Sequence, residues 1–138
     1  MSNEPRPQPV VLLVDDNIQV IQSLTLILTL EGCAVEAAEN LAQAEKVAAQ
    51  HDVALALCDY SLAAGESGLA VPQILANSKN GNEAAKTALL TGHSGPQIDQ
   101  EAEGAGFDVV LLKPPSLQTV RALASEAIAK WEKRQGDC

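Results

Sequence analysis

Aromatic side chains are scarce: Tyr60, Phe107 and Trp131 are the only three in 138 residues. The core must therefore be built from Leu, Val, Ile and Ala. Hydrophobic residues still make up 46% of the chain, which excludes a disordered polymer. The three cysteines, Cys33, Cys58 and Cys138, are scattered, with neither CxxC spacing nor a pairable framework. A zinc site or a disulfide scaffold is therefore not expected. Cys58 lies inside an apolar run and is expected to act as a small hydrophobe. Basic residues are few, nine against eighteen acidic, for a net charge of -9. That balance argues against binding nucleic-acid phosphates, which takes a basic face. It equally disfavours docking on an anionic membrane. No apolar run is long enough to cross a bilayer, and the opening MSNEPRPQP has no apolar signal segment. The expected compartment is the cytosol. After the first apolar run the chain reads DDNIQV, so the glycine-rich phosphate loops of nucleotide-binding modules are missing as well.

What is present is a short apolar run that ends in an acid. Val53 to Asp59 reads VALALCD and is followed by the loop YSLAAGESG. A strand covered on both faces needs such a run. Asp59 then falls at the strand's C-terminal end, where open parallel sheets place their chemistry.

The rest of the chain repeats that grammar. Residues 1–9 read as a flexible leader and residues 134–138 as a tail, with one domain over 10–133. Val10 to Val14 predicts a buried strand bounded by Asp15 and Asp16. Asn17 then caps a helix whose stripe is Ile18, Ile21, Leu24 and Leu28 with Ile27 on its flank, and Gly32 ends it. Ala34 to Ala37 predicts a weak strand. Asn40 caps a second helix, and His51 and Asp52 turn into the central strand. A third helix is expected over Leu69 to Ala76, with Pro72 tolerated in its first turn. Asn77 to Glu83 reads as a polar loop. The fourth strand falls within Ala84 to Leu90 and ends at Thr91. A short helix over Gln97 to Glu103 is expected to be broken by Gly104 and Gly106. Phe107 to Leu112 predicts the fifth strand, ending at Lys113. Ser116 caps a last helix with Leu117, Val120, Leu123, Ala124, Ala127, Ile128 and Trp131 on its apolar face. Strands alternating with helices predict an α/β, doubly wound parallel sheet with right-handed crossovers.

In such a sheet Asp15, Asp16, Asp59, Thr91 and Lys113 converge on one crevice. Three carboxylates there repel one another, and a divalent cation relieves the repulsion. Mg²⁺ takes oxygen ligands of this kind and keeps several waters. Asp59 is then a candidate nucleophile toward phosphorus. The metal and the Lys113 ammonium would neutralise the incoming phosphoryl group, and the Thr91 hydroxyl can donate to one of its oxygens. Each acid taken alone also fits a solvated turn; the convergence is what favours chemistry.

LLVDDN with Asp15 and Asp16, LALCDYSL with Asp59, LLTGH with Thr91 and VLLKPP with Lys113 together resemble the response regulator receiver domain of two-component signalling. The resemblance runs from about Val10 to about Trp131. It implies the flavodoxin-like (βα)5 fold with strand order 2-1-3-4-5. It implies Mg²⁺ held by Asp16, Asp59 and the backbone carbonyl of Ser61, with Asp15 helping through water. It implies phosphoryl transfer from a histidine kinase or histidine-phosphotransfer protein to Asp59, an output face near residues 97–101, 110 and 118–121 for an unknown downstream protein, and a cis Lys113–Pro114 peptide.

The chain departs from the family pattern at several points. Ala63 stands where a proline is usual, and Gly68 arrives one residue late, which predicts a longer, looser loop after the acceptor. Val110 stands where a switch aromatic is expected, so any switch would use aliphatic packing or the loops. His93 occupies a position that adjusts phosphoryl lifetime in the family. The DYSL…GESGL wording is similar to receivers fused to, or partnered with, hybrid sensor kinases. The residues after the last helix are too few for an output domain, so a stand-alone phosphoacceptor is expected, with the terminal receiver of a hybrid kinase as the reading if the chain is a fragment. The alternatives are a degenerate receiver acting as a binding scaffold and a Mg²⁺-dependent aspartate-nucleophile phosphatase. The latter would want a second acid two residues after the nucleophile, where Ser61 stands. Tyr60 is expected to pack on a neighbouring helix, with gating of the site as the alternative.

Overall fold

The computed structural model describes residues 8–78 and 82–136. Most of the expected leader, the middle of the polar loop at 77–83, and Cys138 lie outside the described residues. Pro9 is already buried, and its carbonyl accepts from the Ala34 N–H at 3.0 Å.

A parallel sheet of five strands forms the centre, in the order β2-β1-β3-β4-β5. Its strands are β1 (Val10–Val14), β2 (Ala34–Ala38), β3 (Val53–Asp59), β4 (Lys86–Thr91) and β5 (Val109–Leu112). The helices are α1 (Ile18–Leu30), α2 (Leu41–Gln50), α3 (Val71–Ala76), α4 (Pro96–Ala105) and α5 (Leu117–Gly136). This is the flavodoxin-like arrangement. Every residue of β3 is buried, as its unbroken apolar run requires.

Alternation along the strands divides the core in two. Leu12, Val14, Ala56 and Cys58 face one side, where they pack with Ala44, Val47, Val71 and Phe107. Val11, Leu13, Leu55 and Leu57 face the other, with Leu24, Leu28, Val120, Leu123 and Trp131. Successive strand residues point to opposite faces, so one apolar run supplies both cores.

The caps fall where the side chains dictate. Asn17 Oδ1 accepts from the N–H groups of Gln19 and Val20, and Asn40 Oδ1 accepts from that of Gln43. Ser116 Oγ accepts from the Thr119 N–H at 3.1 Å. Gly32, at φ 97°, closes α1.

Several expected details change. Ile18 is 57% exposed, because it sits about 120° round the helix from buried Leu24. Leu117, the first residue of α5, is 53% exposed even though it lies on the same side of the helix as buried Val120 and Ala124. Gly104 does not break α4; the helix runs to Ala105, and left-handed Gly106 caps it through the Ala102 and Glu103 carbonyls. A 3₁₀ turn over Gly68–Ala70 occupies the expected start of α3. β5 begins at Val109 because Asp108 turns back on β4. The Asp108 carboxylate accepts from the Thr87 N–H at 2.8 Å, and the Asp108 N–H donates to the Thr87 carbonyl at 3.0 Å.

Asn82, expected to be loop, is fully buried. Its Oδ1 accepts from the Val53 N–H at 2.9 Å, and its Nδ2 donates to the carbonyls of Ala48 at 2.9 Å and His51 at 3.1 Å.

Candidate functional site

Register brings the chemistry together. Val14 pairs with Cys58, so Asp15 stands level with Asp59, each following or ending its strand. Asp59 pairs with Leu90, which puts Thr91 one residue further along the next strand. Thr91 pairs with Leu112, so Lys113 emerges beside them, its N–H donating to the Thr91 carbonyl at 2.8 Å. The Lys113–Pro114 peptide is cis, as the resemblance implies.

Asp15 is fully buried, Asp59 nearly so, and Asp16 is exposed. One carboxylate oxygen from each lies within 4.8 Å of the others. Lys113 Nζ is 2.8 Å from Asp59 Oδ1 and 3.7 Å from Asp15 Oδ2. Asp15 Oδ1 accepts from the Asn17 N–H at 2.9 Å, whereas its buried Oδ2 has no hydrogen-bond partner. Burial pushes the Asp15 carboxyl above its ordinary value, and the Asp59 and Asp16 charges push the same way; the Asn17 N–H and Lys113 oppose them. The donors are all oxygens, one buried oxygen receives no hydrogen bond, and the nearest cation is a single ammonium. That set fits a small hard cation.

Thr91 is buried, but its hydroxyl is engaged: Oγ1 donates to the His93 carbonyl and accepts from the His93 N–H, both at 3.1 Å. It closes its own turn, and donation elsewhere requires giving up the His93 carbonyl. His93 itself is exposed.

The segment after Asp59 is tied down, which corrects the expectation of a looser loop. The Tyr60 N–H donates to the Leu90 carbonyl at 2.8 Å. The Tyr60 carbonyl accepts from Ser67 Oγ at 2.6 Å and from the Gly68 N–H at 3.3 Å. Ser61 and Ser67 form an antiparallel bridge. Gly68 packs so closely that an added Cβ would run into the Asp59 carbonyl oxygen, so only glycine fits there. The Tyr60 hydroxyl donates to Glu101 Oε2 on α4 at 2.8 Å, which bears out the packing of this ring on a neighbouring helix. That bond, more than burial, raises the Tyr60 hydroxyl above its ordinary value. Val110 packs on the same core face as Phe107 and Ile98.

Two ties escaped the sequence reading: the Glu66 carboxylate accepts from the Leu41 N–H, and Glu101, placed there only in the expected output face, accepts from Tyr60. Neither acid sits at a strand end, and nothing in their spacing sets them apart from surface acids.

The family model described as the response regulator receiver domain matches residues 11–125. Among solved structures, the chain is similar to a CheY-like receiver domain protein from Methanospirillum hungatei, at 23% identity and a TM-score of 0.78, covering 93% of this chain and 99% of that one. It is similar to the chemotaxis protein CheY4 of Vibrio cholerae, at 21% identity and a TM-score of 0.79, covering 88% and 99%. It is also similar to a response regulator from Burkholderia pseudomallei whose structure holds a phosphorylated aspartic acid, a calcium ion and citrate, at 28% identity and a TM-score of 0.72, covering 88% and 72%. No curated protein matches the chain.

Proposed function

The chain belongs to the response regulator receiver domain family, a family of signalling domains, and on that premise we propose that Asp59 is its phosphoryl acceptor. The observation that carries this reading is the meeting of Asp59 with Asp15, Asp16 and the Lys113 ammonium at the ends of three strands. The related Burkholderia protein, with its phosphorylated aspartic acid and calcium ion, supports it.

The donor is a histidine kinase or histidine-phosphotransfer protein. An Asp59 carboxylate oxygen forms a bond to phosphorus as the phosphorus–nitrogen bond to the donor histidine breaks, and the nitrogen keeps that electron pair. Lys113, already in contact with Asp59, is placed to follow the charge from the carboxylate to the phosphoryl oxygens. Thr91 releases the His93 carbonyl and donates to a phosphoryl oxygen. Asp15, Asp16, Asp59 and the Ser61 backbone carbonyl would hold Mg²⁺, which when bound supplies positive charge against the transferring group. Asn17 keeps one Asp15 oxygen fixed for that role.

The receiver unit is taken as residues 10–133, although α5 itself continues to Gly136 into the expected tail, and its setting as the cytosol. No described helix is long and apolar enough to cross a membrane. The output is a surface change passed to a protein partner, and the net charge of -9 disfavours nucleic acid in that role.

The test is incubation with Mg²⁺ and a small acyl phosphate, read by intact mass. Wild type should gain one base-labile phosphoryl group. Asp59→Asn, or wild type with chelator, should gain none. An adduct that persists in Asp59→Asn, or a wild type that never forms one, overturns the reading.

A further inference from the structure

The segment between β3 and α3 has an attachment outside itself. Ala64 and Gly65, at φ 62° and 77°, follow one another in the left-handed region, which an L side chain such as that of Ala64 disfavours. A turn of that kind needs support. Glu66 closes it with both backbone groups: its carbonyl accepts from the Leu62 N–H at 2.9 Å, and its N–H donates to the Ala63 carbonyl at 3.3 Å. Its side chain then leaves the loop. Glu66 Oε1 accepts from the Leu41 N–H, 25 residues away, at 3.1 Å.

Leu41 is the first residue of α2, and its N–H has no partner within the helix. The Asn40 cap is already occupied by the Gln43 N–H. Glu66 therefore supplies a cap that α2 cannot supply for itself, and a carboxylate suits the positive end of a helix. The same corner holds the first strand's acid: the Asp15 N–H donates to the Ala38 carbonyl, three residues before Leu41, at 3.0 Å. Ser61, whose carbonyl the reading above assigns to the cation, lies between Asp59 and this strap and is bridged to Ser67.

We propose that Glu66 is a positioning residue for cation binding: by hydrogen-bonding the Leu41 N–H, its carboxylate fixes the loop that presents the Ser61 carbonyl. This rests on the site reading above. Glu66 touches neither cation nor phosphoryl group. It sets the fraction of molecules whose loop is ready to bind, and apparent affinity falls in proportion to that fraction.

The experiment measures Mg²⁺ affinity of the full chain by calorimetry, with circular dichroism to verify folding. Glu66→Ala removes charge and acceptor together, and the apparent Kd should rise roughly three- to ten-fold, the worth of one such bond. Glu66→Gln keeps a carbonyl acceptor and loses the charge, and should stay within about twofold of wild type on the same scale. Leu41→Pro removes the donor N–H where proline is tolerated and leaves Glu66 charged; it should weaken binding as Glu66→Ala does, and it carries the test if Glu66→Ala does not fold. Unchanged affinity in Glu66→Ala and Leu41→Pro overturns the proposal. So does Glu66→Gln weakening as far as Glu66→Ala, because charge rather than the hydrogen bond would then be at work. If wild type itself neither binds Mg²⁺ nor forms the Asp59 adduct, the site reading fails and takes the Glu66 role with it. If wild type does both and the variants do not differ from it, only the Glu66 role falls.

Discussion

Burial decides what Cys33 can do. The thiol is buried where α1 gives way to β2, and the loss of solvent, reinforced by Glu31, pushes it up to about 11 from an ordinary 9.0. Between those values an unfolded chain ionises this thiol while the folded chain keeps it neutral. The unfolded state then binds fewer protons, so stability falls as pH rises through that window and levels off above it. Two pKa units correspond to on the order of 2 to 3 kcal/mol. Chemical denaturation of wild type and Cys33→Ala from pH 8 to pH 11 isolates the effect, since every other group titrates in both. The wild-type curve should fall more steeply by about that amount; parallel curves would contradict it. Residues at strand ends were readable from sequence because the apolar run fixes where a strand stops. Asp15, Asp59, Thr91 and Lys113 each stand at such a stop. The ties made by Glu66 and Glu101 were not readable, because each acts across 25 or more residues on a partner that no local pattern names.

Elements are joined at the other end of the sheet by one buried amide. Asn82 accepts from the Val53 N–H at the start of β3 and donates to the carbonyls of Ala48 in the last turn of α2 and of His51 just after it. Asn82→Ala leaves the Val53 N–H buried without that acceptor and removes two further bonds. The cost should be about 2 to 4 kcal/mol, read as a lower denaturation midpoint at unchanged slope. Asn82→Asp keeps an acceptor for Val53 but turns an ionised oxygen toward the Ala48 and His51 carbonyls, so it should be no milder. A loss under about 1 kcal/mol in Asn82→Ala would mean the latch is packing alone. The same residue marks a boundary of sequence reading. A buried asparagine and a loop asparagine look alike until the partner strand is in place. Helix ends divide in the same manner. Gly106 stops α4 because its φ of 100° is left-handed, whereas Gly104 adopts ordinary helical angles and costs the helix only propensity. Composition gives both the same letter. The loop after Asp59 reads as slack from length, yet the Ser61–Ser67 bridge and the Glu66 cap make it taut.

Across the whole molecule the acids are not evenly spread in their consequences. A net charge of -9 on 138 residues is borne mostly by solvated side chains, where screening makes each pair nearly harmless. At the C-terminal edge of the sheet the situation differs, because Asp15 and Asp59 are withdrawn from water and share one lysine. The fold therefore carries a local repulsion that its architecture creates: parallel strands in register necessarily bring their ends together. A divalent cation binding only the folded chain would relieve it. At a hundred times the dissociation constant it would add about 2.7 kcal/mol, which at about 3 °C per kcal/mol for a domain of this size is a rise in Tm of about 8 °C. Sodium chloride at matched ionic strength screens only the exposed charges and should shift Tm much less. Asp16→Asn, which removes an exposed member of the cluster, should shrink the Mg²⁺ shift far more than the sodium shift, to which it is one exposed charge among many. Equal shifts for the two salts would mean that the acids behave as a diffuse charge, and the case for a bound ion at Asp15, Asp16 and Asp59 would fail.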